Sequence, residues 1–251
     1  MYIKKNIIYG YNNIQELILI YKYKKYIYKL FFIKKYINNN IFKIINKYNI
    51  PFKIKNKKFI NKICKYKNQG IIAYITDIKF YKIKNIINNI NNYYKNPTIL
   101  IINKLYNYKN FGNIIRNSVL FNVQTIIINN NFFFINKEII NNSSGLFFKI
   151  PICKEKNILK TIIFLKKKKY KIFSLSNIKF TNYINKCNLN IPLVVILGNE
   201  DKGINNKFLN ISDKIIKIPM IYKYTSLNVS HANSIILYEI FKQKLKNIKF
   251  F

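Results

Sequence analysis

The sequence predicts an α/β protein: a mostly parallel sheet with helices on its faces in the C-terminal two-thirds, preceded by a smaller α/β unit. Three observations carry this reading. After Pro97, short apolar runs alternate with stretches of helical period. Half of the 251 residues are hydrophobic, enough to bury a sizeable core and too many for a disordered chain. The longest apolar run, near Ile191–Leu197, suits a buried strand and falls well short of the roughly 18 residues a membrane span needs. Collagen, coiled coil and integral membrane protein are excluded.

In chain order, Ile14–Ile20 has helical patterning after a turn at Gly10, and Tyr26–Ile33 and Ile41–Tyr48 read as a strand and a helix. Gln69-Gly70 is a turn signal ahead of the strand Ile71–Ile75. The Asn- and Lys-rich stretch before Pro97 reads as a linker, so the expected boundaries are a small domain over 1–80, a linker over 81–96 and a larger domain over 97–251. In the larger domain Ile99–Ile102, Thr125–Asn129, Lys171–Leu175, Leu193–Leu197 and Ile215–Ile218 read as strands. Gly112–Phe121, Ile158–Lys168 and the long terminal segment Leu227–Leu245 read as helices. Ligands of such sheets bind beyond the carboxyl ends of the strands, so chemistry is expected in the loops after Ile102, Leu197 and Ile218.

Lys plus Arg is 45 against 8 acids, a formal charge of +37 that draws the chain towards nucleic acid by counterion release and steering. The favoured residues (Asn, Ile, Lys, Tyr, Phe) also have AT-rich codons, so part of this charge is mutational drift. The drift supplies a filter, because a disfavoured residue that persists marks a position where its chemistry is hard to replace. Arg116 is the only arginine among 45 basic residues, and Gly, Pro and Ala survive at few positions. Cys64, Cys153 and Cys187 have neither zinc nor disulfide spacing, and His231 is the only histidine, which excludes catalysis built on several histidines. No metal is expected. The N-terminus lacks a signal-peptide pattern. The chain therefore reads as a cytoplasmic protein of a bacterial or endosymbiont genome, with an organelle matrix as the alternative.

Three loops concentrate the surviving rare residues. In Asn107–Arg116, Gly112 is expected to make a tight turn from strand to helix, with Asn110 and Arg116 as candidates to point above the strand; the plain alternative is an exposed arginine. Leu197–Ile204 is glycine-bounded but lacks the Lys and Ser/Thr of a P-loop, and no Gly-x-Gly pair exists for a dinucleotide fingerprint. Its carboxylate, Glu200, is either functional or, with Asp201, a cap on the next helix. In Ile218–Ala232, Ser226 reads as a cap or first-turn residue, Asn228 and Ser230 fall on the first turn, and His231 reads as a surface or interface residue. Lys166–Lys169 is either an RNA contact or a solvated helix end.

These segments resemble the motifs of the SpoU-type ribose 2′-O-methyltransferases, the TrmH branch of the SPOUT superfamily. The family patterns N-x-G-x-x-x-R, G-x-E-x-x-G and I-P-M…S-L-N-V-S-x-A correspond to Asn110–Arg116, Gly198–Gly203, and Ile218–Met220 with Ser226–Ala232. Ser143-Ser-Gly145…Pro151 is similar to an intervening S-x-G…P segment. Asn107, Asn122 and Ser118 depart from a usual Asp, Gly and Ala. Ile8-Tyr-Gly10 with Gln15-Glu-Leu, and Gln69–Ala73, resemble the small L30e-like RNA-binding domain of the bacterial large-subunit rRNA guanosine 2′-O-methyltransferases.

The resemblance implies a deep trefoil knot in the C-terminal domain, S-adenosylmethionine as cofactor, and a homodimer with its active site at the subunit interface. It implies cofactor contacts at Gly198, Asn199, Ile218, Met220, Leu227 and Asn228, and a reaction centre of Arg116, Asn110, Glu200, Ser226 and Asn228. A guanidinium stays protonated, so Arg116 is expected to clamp a phosphate and the nascent alkoxide and not to act as base. The expected function is methylation of a guanosine ribose in large-subunit rRNA. The alternatives are the same chemistry on tRNA, or an inactive RNA-binding ribosome-assembly factor.

Overall fold

The computed structural model describes residues 6–19, 27–36, 39–65, 68–75, 78–130, 135–178, 181–199, 203–221 and 226–245. These divide into two compact units, residues 1–79 with 134–149, and residues 80–133 with 150–251.

The first unit is built on a four-stranded sheet of β1 (Asn6–Tyr9), β2 (Ile27–Phe32), β3 (Phe52–Ile54) and β4 (Ile71–Ile75), in the order β1-β4-β2-β3. Only the β2–β3 pair is parallel. Ala73 sits mid-sheet between Ile8 and Leu30, all three fully buried, where a larger side chain would have no room. Helix α1 (Tyr11–Leu19) buries Ile14, Leu17 and Ile18 at helical spacing. Helices α2 (Asn39–Lys47) and α3 (Lys57–Ile63) complete the cover. The turn before β4 holds Gln69 and Gly70 at φ of 50° and 74°, as the sequence signal predicts.

The Ser143–Gly145 motif belongs to this unit, not to the larger one. Helix α6 (Lys137–Asn142) ends in Ser144 and Gly145 at φ of 53° and 79°. That turn seats Gly145 so closely on α1 that a Cβ would lie 2.9 Å from the Asn13 Cα. The Asn13 amide donates to the Asn141 Oδ1 at 2.6 Å, and Lys149 pairs with Glu16 at 2.6 Å.

The second unit is a seven-stranded, wholly parallel sheet. Its strands are β5 (Thr98–Ile102), β6 (Thr125–Asn129), β7 (Ile152–Glu155), β8 (Lys171–Leu175), β9 (Asn182–Tyr183), β10 (Leu193–Leu197) and β11 (Lys214–Lys217), in the order β7-β6-β5-β10-β8-β11-β9. The central strands β5 and β10 are buried throughout and apolar except for Thr98, because both faces are covered. Ile99, Ile101, Ile127, Val194 and Ile196 face a cluster shared with α4 (Ile83–Tyr93) and α7 (Ile158–Lys167), against which α8 (Asn206–Ile211) also packs. The alternate residues face α5 (Tyr108–Leu120) and α9 (Val229–Leu245), which pack on each other.

Two expectations are corrected. Residues 81–96 are not a linker: Tyr81 pairs with β7, and α4 buries Ile83, Ile87 and Ile90 in the core. Its isoleucine stripe at i, i+4 and i+7 outweighs the poor helix propensity of its asparagines. Gly112 makes no tight turn, since α5 already begins at Tyr108 and Gly112 lies buried inside it. Among the described residues no helix is long and apolar enough to cross a membrane.

Candidate active site

The wholly parallel sheet brings the carboxyl ends of its strands to one rim, and three of the four cavity-lining loops there were singled out from sequence. Past β5 the chain reaches Asn107, whose side chain accepts the backbone N–H groups of Lys109 and Asn110 at 2.9 and 3.2 Å. This cap starts α5 and holds Asn110 in its first turn, 8% exposed. Past β11, the chain returns to the rim at Asn228. Its Oδ1 accepts from the Ser230 N–H at 2.8 Å and from the Ser230 hydroxyl at 2.7 Å, so Asn228, not Ser226, supplies the cap of α9. The Asn228 amide donates to the Asn110 Oδ1 at 3.3 Å. Two helix N-termini, each with a partial positive charge, therefore meet at one pair of asparagines.

The third wall follows β10. Asn199 and Gly203 exchange backbone hydrogen bonds of 2.9 and 3.1 Å and close a tight loop. A Cβ on Gly198 would stand 2.5 Å from the carbonyl carbon of Gly203, and Gly203 itself has φ of 62°. Both glycines of the motif thus have a backbone reason. The Asn199 amide donates to the Lys104 carbonyl at 3.1 Å, tying this loop to the one after β5.

Between these walls lies a cavity of about 700 Å³. Its lining includes Asn110, Gly198, Asn199, Ile218, Met220, Ser226, Leu227 and Asn228, so eight of the ten candidate residues share one space. Arg116 is not among them: it lies exposed on α5 and does not reach the cavity. Glu200 and Asp201 lie outside the described residues, and the cap on α8 comes from Asn205, which accepts from the Lys207 N–H. Sequence reasoning missed Ser176 and Asn177, which also line the cavity. They follow β8, and the rim rule that flagged the other loops applies equally to them.

Among the described residues that line the cavity, Lys217 is the single cation, in a chain of net charge +37. Among the described residues no group of three His, Cys, Asp or Glu could hold a metal ion. All three cysteines are buried, and burial pushes the Cys153 thiol up to about 11, far from a reactive thiolate.

Comparison with known proteins matches residues 97–238, more than half of the chain, to the SpoU rRNA methylase family. The chain belongs to the SpoU rRNA methylase family. Residues 7–81 match a second family, the RNA 2′-O ribose methyltransferase substrate-binding domain. This SpoU-family RNA methyltransferase is 27% identical over 213 residues to a putative TrmH family tRNA/rRNA methyltransferase of Staphylococcus saprophyticus, covering 84% of this chain and 85% of the relative. Its fold is that of the SpoU methyltransferase AviRb from Streptomyces viridochromogenes in complex with AdoMet, at 14% identity and a TM-score of 0.79, covering 97% of this chain and 92% of that one. The TrmH/SpoU tRNA modifying enzyme of A. aeolicus matches at 26% identity and a TM-score of 0.56, covering 65% of this chain and 84% of its own.

Proposed function

We propose that this SpoU-family enzyme transfers the methyl group of S-adenosylmethionine to a ribose 2′-hydroxyl, on a guanosine of large-subunit rRNA. The observation that carries the reading is the asparagine pair Asn110–Asn228 at two helix N-termini, on the wall of a cavity whose lining mixes apolar side chains with uncharged polar ones and one lysine. The cavity fits the cofactor in size and chemistry. About 700 Å³ lies within the range of small-molecule sites, and a described lining with one cation, Lys217, suits a ligand that carries a sulfonium. Gly198, Asn199, Ile218, Met220, Leu227 and Asn228 would hold it, largely through backbone groups of the loops we infer to be knotted. When bound, the cofactor supplies an electrophilic methyl group.

The residues of the chain then position and stabilise. Asn110, Ser226 and Asn228, with Glu200, orient the ribose so that its oxygen stands in line for attack. Arg116 keeps its proton and offers a rigid fork to the neighbouring phosphate and to the negative charge developing on the 2′-oxygen. The hydroxyl proton passes to solvent. Because Arg116 lies outside its own cavity, we assign it to the site of a partner subunit in a homodimer. An apolar patch beside it supports this. Leu120 is 57% exposed, Tyr238 55% and Ile235 41%, and the Tyr238 ring lies 6.1 Å from that of Phe121.

The substrate-binding match over residues 7–81 supports rRNA over tRNA, since the tRNA modifying enzyme of A. aeolicus aligns with only 65% of this chain. The test uses purified protein, labelled S-adenosylmethionine and unmodified large-subunit rRNA or tRNA. Label should enter rRNA at a ribose 2′-oxygen and fall at least 100-fold in Arg116→Lys, roughly the loss seen when a transition-state donor is removed. Label in tRNA alone would overturn the substrate, and tight RNA binding without label would make the protein a binding factor.

A further inference from the structure

A second concave site lies on the same unit, away from the cavity. It is a groove of about 500 Å³ between α4 and α7 that opens at the carboxyl end of β7 and runs along α7 to its last residue, Lys167. Lys82, Lys84, Lys156, Lys160 and Lys167 line it, all with exposed side chains. Its one acid, Glu155, is already engaged, accepting the Ile83 N–H at 2.8 Å at the start of α4. We propose that this groove holds the phosphodiester backbone of the RNA that flanks the target nucleotide. The proposal rests on the reading that the enzyme acts on RNA.

Mutational drift towards lysine does not account for the groove. Drift scatters lysines over convex, solvated surface, where each ammonium group is well screened. Here five exposed lysines line one concave groove, and the Lys82 ammonium also donates to the Lys154 carbonyl. Among the described residues, the cavity on the same unit is lined by one lysine and the groove by five. A polyanion pairs with these ammonium groups and releases its own counterions, so the arrangement favours binding most where phosphates can enter. The groove also has order. Lys160, Phe164 and Lys167 follow at i, i+4 and i+7 on one face of α7, and the Lys84 Nζ lies 5.9 Å from the centre of the Phe164 ring. An aromatic face set among cations suits a sugar-phosphate strand with its bases unstacked.

Position supplies the link to the reaction. The sheet is parallel throughout, so the carboxyl ends of β7 and β10 share one rim. They stand three strand intervals apart, about 14 Å at roughly 4.8 Å each, a span that a few nucleotides of backbone can bridge. With the target ribose in the cavity, the strand leaving it along this rim reaches the groove.

The test compares two triple variants of the full chain. Lys84→Gln, Lys156→Gln and Lys160→Gln remove charge from the groove at the carboxyl rim, while Lys95→Gln, Lys171→Gln and Lys214→Gln remove the same charge near the amino ends of the strands. Glutamine is as good a helix former as lysine, and thermal melts check that both variants fold. RNA binding is read by fluorescence anisotropy of a labelled large-subunit rRNA fragment over a KCl series, with S-adenosylmethionine binding followed in parallel. The groove variant should lower the slope of log K against log salt by about 2, as expected for three lost phosphate contacts, and weaken binding at least tenfold at fixed salt. Its cofactor binding should not change, and the control should stay within about twofold of wild type on the same electrostatic argument. Equal slopes for the two variants would overturn the proposal. So would a loss seen only with vesicles of anionic lipid. If the wild type neither binds nor methylates any RNA, the functional reading fails first and takes the groove with it; a wild type that methylates RNA with an unaffected groove variant would sink the groove alone.

Discussion

Arg116 and Gly198 persist against the same mutational drift for different physical reasons, and each reason predicts a different failure. Gly198 is fixed by backbone crowding: a Cβ would meet the carbonyl carbon and oxygen of Gly203 at 2.5 and 2.8 Å, where no flexible side chain can give way. Gly198→Ala should therefore open the loop after β10, with S-adenosylmethionine affinity falling about tenfold or more, a cost of roughly 1.4 kcal/mol, while the melting temperature moves little. Calorimetric titration checks this, and unchanged affinity would mean the loop does not hold the cofactor. Lys244 shows a third constraint. Its ammonium donates to the Asn96 carbonyl and the Thr98 Oγ1, both at 2.6 Å, and burial pushes its pKa down from 10.5 to about 8. The folded state then binds fewer protons than the unfolded chain between pH 8 and 10.5. The charge is a penalty below pH 8, and stability should rise through that window by up to about 3 kcal/mol. Subtracting the urea stability curve of Lys244→Met from that of the wild type across pH 7 to 10.5 isolates this slope; a flat difference would show the ammonium to be well solvated.

At the scale of the element, α5 explains the three departures from the family pattern. Asn107 stands for Asp at the cap and makes the same two hydrogen bonds a carboxylate would. Asn122 stands for Gly just beyond the helix end at φ of 55°, a left-handed conformation that Asn tolerates better than most residues. Ser118 stands for Ala and buries a hydroxyl that has no partner among the described residues, so this substitution carries a cost. Asn107→Ala should destabilise the chain by about 1 kcal/mol and lower methyl transfer through the misplaced Asn110, whereas Asn107→Asp should match or exceed wild type in thermal melts. Equal melts for all three would remove the cap from the argument. The same elements show what the sequence could tell. Strands β5, β6 and β10 are legible because burial on both faces demands long apolar runs, and β8 from its apolar Ile172-Phe173 core. Helix α4 is not, because asparagine dilutes its stripe; nor is the adherence of α6 to the first unit, since that depends on Asn13–Asn141 and on the fit of Gly145, contacts of long sequence separation. The cavity was readable as motifs, but the pairing of Asn110 with Asn228, 118 residues apart, and the outward position of Arg116 needed coordinates.

For the whole molecule the decisive question is which chain supplies Arg116 to which cavity. Helix α9 is apolar on more than one side: Ile236, Leu237 and Ile240 are buried against the unit, while Ile235 and Tyr238 face outward beside Leu120. The homodimer proposed above would cover this outward face and would bring Arg116 to the cavity of a partner subunit. Tyr238→Glu should then convert a dimer of about 60 kDa in sedimentation, twice the 30.2 kDa chain, into monomers, and abolish methyl transfer without unfolding either unit. A sharper test needs no interface mutation. Arg116→Lys and Asn228→Ala should each be inactive alone. If the arginine acts across the interface, a mixed dimer contains one site with neither change and one with both. Re-equilibrating the two variants at equal concentration should therefore restore about a quarter of the wild-type sites, because half of the dimers are mixed and each holds one intact site. If Arg116 serves its own chain, every site in every dimer carries one lesion, and mixing restores nothing. Recovery near a quarter would place the arginine in the partner's cavity, and no recovery from dimers shown to have exchanged would return it to its own.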